Sequence, residues 1–368
     1  MKVLEIKKED LKYNIDVVKT ILVNNSSEKE VTIIAVVKSN GMGLDLIEYS
    51  NFLIENGITY LAVATTDEAV ALRNAKIDTN ILMMSPVVDE NELQLLIEND
   101  ITLTVGNLDE LELIKVFSSK LQKKVTVQIK VDTGFARYGF LYTDKENILK
   151  AYETNENISI TGIFTHFSKA IDEKWTNTQF NRFTEVIEYL ENNNINVGIK
   201  HCASSTAFLK YPNMYLDAVR LGSVFQGRVL ESKNKFRKIG TFKTNIVEIK
   251  ELPKGYNISY GKTYKTKKET RIAIVPVGYG DGLNRNKLRD DFSFKNNILS
   301  ILHEIKLLFK KNNLKVKINN KTFNIIGRLG MYHAIVDITG NDNIKAGDEV
   351  ILDASPLQTS KKIRREYL

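Results

Sequence analysis

The sequence predicts an α/β chain in two parts, a closed (β/α)8 TIM-type barrel over residues 1–234 and a mainly β C-terminal domain over residues 235–368. Three observations carry this. Up to residue 221, eight short apolar or β-branched runs alternate with longer segments whose apolar residues recur at helical spacing. After Gly227 the helical spacing gives way to β-branched runs separated by Gly, Pro, Asn and Asp. The length, 368 residues, exceeds one ordinary domain and suits a barrel of about 250 residues plus a smaller domain. An open doubly wound sheet is the competing arrangement, but no Gly-x-Gly-x-x-Gly turn follows any of the runs.

Taken in order, an opening strand or turn precedes Lys8–Asn24, where Leu11, Ile15, Val18, Ile21 and Leu22 fall on one helical face. The run from Val31 to Lys38 has no polar alternation, which predicts a strand covered on both faces that delivers Lys38 at its carboxyl end. Further strands are expected at 59–64, 80–84, 102–105, 124–131, 159–164, 196–201 and 216–221. Helices are expected between them at 46–56, 66–74, 90–99, 108–118, 146–154, 176–192 and around 204–210. In the second part the β runs are 244–249, 271–276, 316–318, 322–326, 334–338 and 349–352. A helical insertion near 288–312 interrupts them, with Ile298, Ile301, Leu302, Ile305, Leu308 and Phe309 on one face.

Composition narrows the class. With 43% hydrophobic and 26% charged residues the chain has ample material for a core. The charged opening residues do not form a signal peptide, and no apolar stretch is long enough to span a bilayer, so a cytoplasmic protein without membrane partners is expected. The single cysteine, Cys202, cannot form an internal disulfide, in keeping with a reducing compartment. A net charge of +7 raises nucleic acid as a partner, but the basic residues are spread along the chain and lack interleaved aromatics, which argues against it. Four histidines and one cysteine without ligand spacing argue against a metal.

Chemistry-bearing residues collect at the ends of the barrel runs, where such folds build their sites. Val36-Val37-Lys38-Ser39-Asn40-Gly41-Met42-Gly43 leaves the first of these runs; Lys130-Val-Asp132-Thr133-Gly134-Phe-Ala-Arg137-Tyr-Gly139 ends another. Thr161-Gly-Ile-Phe-Thr165-His166-Phe167, His201-Cys202-Ala203-Ser204-Ser205 and Val219-Arg220-Leu221-Gly222-Ser223 end three more. The β part adds Ser259-Tyr260-Gly261, Gly278-Tyr279-Gly280-Asp281-Gly282 and Gly327-Arg328-Leu-Gly330-Met331-Tyr332-His333. Read singly, each has a plain alternative: Lys38 a lysine leaving a core strand, Lys130 a surface charge, His166 a core histidine, Tyr260 and Tyr279 half-buried strand aromatics.

Together these segments resemble the alanine racemases, enzymes dependent on pyridoxal 5'-phosphate (PLP), over nearly the whole chain. The resemblance implies that Lys38 carries the cofactor in the barrel and serves as base on one face of the substrate's Cα, and that Tyr260 of the partner subunit in a homodimer is the opposite base. It implies cofactor contacts from His166, Ser205, Arg220, Gly222 and Ser223, with Arg220 at the pyridine nitrogen. Arg137, Tyr279 and Met331 would meet the substrate, and Lys130 is the lysine that the family often carbamylates to hold the arginine. An arginine at the ring nitrogen favours racemisation over decarboxylation, since related barrel decarboxylases place a carboxylate there. The chain departs from the family at Met42 (usually Tyr), Ser204 (usually Asn), and Gly330, Tyr332 and His333 (usually Cys, Asp and Gln). The C-terminus shows no clear counterpart of the second phosphate-binding tyrosine. The expected activity is interconversion of L- and D-alanine; a racemase of serine, lysine or ornithine, or a non-catalytic PLP-binding homeostasis protein, stands as the alternative.

Overall fold

The structure is a computed structural model that describes residues 2–25, 30–153, 156–229, 235–283, 297–302 and 314–368. The chain divides into two compact units, Lys8–Ile239 and Met1–Lys7 together with Gly240–Leu368. The opening strand β1 (Val3–Ile6) thus belongs to the second unit.

In the first unit lie β2 (Thr32–Val36), β3 (Tyr60–Val63), β4 (Asn80–Met83), β5 (Leu103–Val105), β6 (Val125–Asp132), the two-residue β7 (Phe140–Leu141), β8 (Ile158–Phe164), β9 (Ile199–Ser204) and β10 (Ala218–Leu221). Eight of them pair in parallel in the order β4-β3-β2-β10-β9-β8-β6-β5, with β7 beside β6. A parallel bridge between Leu82 and Thr102 joins the two ends, with Met83 N–H donating to Thr102 C=O and Thr102 N–H to Ile81 C=O, both at 2.9 Å. That closes the barrel, and closure removes the edge strands. Ile34, Tyr60, Ala62, Leu82 and Ala218, from four neighbouring strands, form one buried cluster.

The helices are α1 (Lys8–Asn25), α2 (Leu46–Glu55), α3 (Thr66–Asn74), α4 (Glu90–Glu98), α5 (Leu108–Leu121), α6 (Lys145–Tyr152), α7 (Glu173–Asn192) and α8 (Ser205–Lys210). Four of them begin at a side-chain cap: the side chains of Asp45, Asp89, Asn107 and Asp172 each accept a backbone N–H at the start of α2, α4, α5 and α7. On α1, Leu11, Ile15, Val18 and Leu22 are buried, as their spacing predicts.

The second unit carries β11 (Thr241–Asn245), β12 (Glu248–Leu252), β13 (Asn257–Ile258), β14 (Tyr264–Lys265), β15 (Thr270–Val275), β16 (Lys315–Ile318), β17 (Lys321–Ile326), β18 (Ala334–Asp337), β19 (Glu349–Asp353) and β20 (Arg364–Tyr367). Nine strands, all but the β13–β14 hairpin, run in the order β12-β15-β18-β17-β16-β19-β11-β1-β20. The run expected as one strand at 244–249 is two. Ile246 N–H donates to Asp348 C=O while Val247 N–H donates to Ile274 C=O, so the chain changes partners between β11 and β12. Of the helical insertion expected near 288–312, residues 297–302 are helical and the remainder lies outside the described residues. No helix among the described residues is long and apolar enough to cross a membrane.

Candidate active site

Strand β2 stops at Val36, and Lys38 opens a left-handed turn instead of continuing the strand. Ser39, Asn40, Gly41 and Met42 have φ of 57, 58, 64 and 54°, followed by Gly43 at 83°. For L-residues this conformation costs roughly 1–2 kcal/mol each, so surrounding contacts must hold it. Asn40 N–H donates to Glu68 Oε1 at 3.0 Å, Asn40 Oδ1 accepts from Leu46 N–H at 3.2 Å, and Met42 C=O accepts from Gln226 Nε2 at 2.6 Å. The lysine is thereby fixed at the root.

It opens onto a cavity of about 430 Å3, ordinary for a small-molecule site, at the carboxyl ends of the strands. Lys38, Lys130, Arg137 and Arg220 all line it, together with His166, and no aspartate or glutamate does among the described residues. Burial is the largest influence on each of the buried members. It lowers the Lys38 ammonium, aided by Arg137 and opposed by Glu68. Lys130, only 3% exposed, falls to about 7 through burial and then the charges of Arg220 and Arg137. His166 is driven well below its ordinary value by burial, then by Arg220, Lys130, Arg137 and Lys38, and is neutral at neutral pH.

Arg220 is the centre of this group. Its Nη1 lies 2.7 Å from His201 Nδ1 and its Nη2 donates to Thr165 C=O at 2.6 Å, with His166 Nδ1 at 3.2 Å. Burial lowers it to about 10, which still leaves it charged. A guanidinium has no acceptor, so His201 Nδ1 must accept and Nε2 must carry the proton. Nε2 then donates to Gln128 Oε1 at 2.9 Å, and Gln128 Nε2 donates to Tyr60 Oη at 2.9 Å. Every member of that chain is buried. Such a chain locks the orientation of the arginine, because turning any one group leaves a buried donor unpaired.

Arg137 stands on its own loop. Its guanidinium stacks over Phe135 at 4.2 Å and Tyr138 at 5.5 Å. The loop is tied down by Asp132 Oδ1, which accepts from Gly134 and Phe135 N–H at 2.8 Å each, and by Arg182 Nη1 donating to Thr133 C=O at 2.9 Å.

Around Gly222, the hydroxyls of Ser204, Ser205, Thr206 and Ser223 line the same cavity. Ser205 Oγ accepts from Gly222 N–H at 3.1 Å and Val224 N–H at 3.3 Å, leaving its own proton to donate. A Cβ on Gly222 would sit 3.4 Å from Met42 Cε and from Val36 Cβ. Met42 therefore brings its methyl group, not a hydroxyl, to this rim.

In the second unit Tyr260, Tyr279 and Met331 are exposed at 64, 46 and 49%. Tyr279 and Met331 belong to interlocked loops: Tyr279 N–H donates to Gly330 C=O at 3.1 Å and Gly280 N–H to Met331 C=O at 2.8 Å. Asp281, two residues after Tyr279, pairs with Lys2 at 2.8 Å.

A family model for the alanine racemase N-terminal domain matches residues 6–228, and one for the alanine racemase C-terminal domain matches residues 239–365. The chain belongs to the alanine racemase family. An alanine racemase of Clostridium perfringens is 36% identical over 349 residues, covering 90% of this chain and 83% of that one. One from Methanococcus maripaludis is 35% identical over 327 residues, covering 86% and 81%. Among solved structures, the alanine racemase of Clostridium difficile 630 has a TM-score of 0.85 at 27% identity, covering 100% of this chain and 95% of that one. The alanine racemase of Bacillus anthracis with bound L-Ala-P has a TM-score of 0.81 at 26% identity, covering 100% and 95%.

Within this alanine racemase fold the first unit brings together Lys38, Lys130, Arg137, His166, Ser205, Arg220, Gly222 and Ser223 in one cavity. Tyr260, Tyr279 and Met331 sit in the other unit. Sequence reasoning passed over Gln128, Tyr60 and Glu68. Gln128 carries a signal in hindsight, being the one amide in the alternating run Val125–Val131; Glu68 carries none, because it lies 28 residues from the backbone it holds.

Proposed function

We propose that this chain is a PLP-dependent alanine racemase that works as a homodimer with shared sites. The observation that carries the reading is a cavity lined by two lysines, two arginines and, among the described residues, no acid, with the strand-end Lys38 one of the lysines. Those residues fit PLP: the hydroxyls and backbone about Gly222 suit its phosphate, Lys38 its aldehyde and Arg220 its ring nitrogen. When bound, the cofactor supplies the electron withdrawal that makes the Cα proton of an amino acid exchangeable.

The protein's own residues do the rest. Arg220, charged at neutral pH and held by neutral His201, would keep a proton off the pyridine nitrogen of the bound cofactor. Arg137 offers a planar fork to the substrate carboxylate, and its loop anchors fix where that carboxylate goes. Lys130 in carbamylated form would give this arginine a negative partner; its low pKa supplies the neutral amine that such a modification requires. Lys38, freed by substrate, takes or returns the Cα proton on one face, and burial favours the neutral amine needed for that. Inversion requires exchange on the other face as well, which we assign to Tyr260 of the partner subunit. Tyr279 and Met331 border the substrate from the same side.

Alanine is the substrate the family membership favours. The departures at Gly330, Tyr332 and His333 fall beside Met331, so side-chain tolerance is where this chain can differ. The test is kcat/KM by polarimetry for alanine, serine, lysine and ornithine, with the visible spectrum of the purified protein recorded on substrate addition. Alanine should be the best of the four; a better rate with another refutes the alanine assignment, and a colourless protein without turnover refutes the enzyme.

A further inference from the structure

We propose that His333 is a positioning residue that seats the Tyr260 ring, and that position 330 is glycine to make room for that imidazole. The inference rests on the proton-exchange role of Tyr260 stated above.

Two departures from the family motif fall on a single contact. A Cβ on Gly330 would lie 2.5 Å from Cε1, 2.6 Å from Nε2 and 2.8 Å from Nδ1 of His333. No larger residue fits there while the ring is in place. The backbone makes no such demand, since Gly330 is not among the residues of positive φ. The ring is the reason for the glycine. Gly330 N–H also donates to His333 C=O at 2.9 Å, closing the turn from which the imidazole projects.

That imidazole meets the Tyr260 ring with centroids 6.2 Å apart and planes tilted by 41°, a tilted pairing of the kind aromatic quadrupoles favour. Tyr260 has need of it. Its turn is fastened at the backbone, where Ser259 Oγ donates to Arg328 C=O and a Cβ on Gly327 would come 2.8 Å from Ser259 Cβ. Tyr260 is 64% exposed, and His333 is its ring partner among the described residues. A proton-exchanging group displaced by about 1 Å can lose on the order of a hundredfold in rate. A cysteine and glutamine at these two positions, as in the family motif, could not form this pair; the glycine and histidine do so together.

The test compares wild type, Gly330→Ala, His333→Ala and the double variant as PLP-loaded enzymes, using L- and D-alanine with protium or deuterium at Cα. His333→Ala should lower kcat at least about tenfold with a much smaller change in KM. The deuterium effect should rise for the enantiomer whose proton Tyr260 removes and not for the other, while ring-retaining His333→Phe recovers most of the rate. Gly330→Ala should match His333→Ala, and the double variant should be no worse than either. Thermal midpoints should show the same coupling, with Gly330→Ala lowering the midpoint only where His333 is present. Unchanged isotope effects in His333→Ala, an equal rise for both enantiomers, or additive losses at 330 and 333 would overturn the proposal. Tyr260→Phe is the control: if it racemises at the wild-type rate, the base assignment falls and the seating role with it, while the thermal coupling of 330 and 333 is still read separately.

Discussion

Lys130 is nearly enclosed, beside two arginines and over the Phe164 ring at 5.2 Å, with a pKa pushed down to about 7. Unfolded, the same amine would titrate near 10.5. Between those values the unfolded chain binds the extra proton, so this residue makes stability rise with pH across the window, and its penalty is fully present below about 7. Lys130→Met should therefore raise the thermal midpoint at pH 6, by an amount equivalent to a few kcal/mol, with the gain shrinking as pH approaches 10. Bicarbonate should raise the midpoint of the wild type and not of the variant, because only a neutral amine at this position can take up carbon dioxide. A variant no more stable at pH 6 than at pH 10, relative to wild type, would mean that folding does not lower the pKa of this lysine.

At the scale of elements, the left-handed turn after β2 is what aims Lys38. A Cβ on Gly41 would meet Leu46 Cα and N at 3.1 Å each, at a φ of +64°. Gly41→Ala should cost about 1–2 kcal/mol of stability, read from denaturant midpoints, and should reduce activity more than stability alone explains. The sequence shows the ingredients of this turn, a pair of glycines and an asparagine, but not its hand. Strand β2 was legible because its run has no polar alternation, and the helices because their apolar residues recur at helical spacing, whereas β6 alternates Val, Thr, Val, Gln, Ile, Lys and Val yet is buried at all but Thr126. The β unit was less so. Nothing local marks the partner change at Ile246 and Val247, nor the pairing of β1 with β11 and β20, which joins residues more than two hundred positions apart. The site followed the same division: Lys38, Arg137 and Arg220 lie in recognisable strand-end motifs, whereas Glu68 and Tyr60 act through contacts that only folding creates.

At the scale of the whole molecule, a Tyr260 supplied by the partner subunit would mean two chains per site. Lys38→Ala and Tyr260→Phe proteins, each inactive, should regain activity when subunits exchange. Random pairing in a two-fold dimer leaves about a quarter of the sites intact. No recovery despite exchange demonstrated by mass spectrometry would confine each site to one chain. Inversion of alanine by exchange of its Cα proton on both faces is tested by incubating PLP-loaded protein with pure L-alanine in deuterium oxide. Optical rotation should decay to zero while deuterium enters Cα of both enantiomers. Rotation that persists, or that decays without deuterium at Cα, would contradict it.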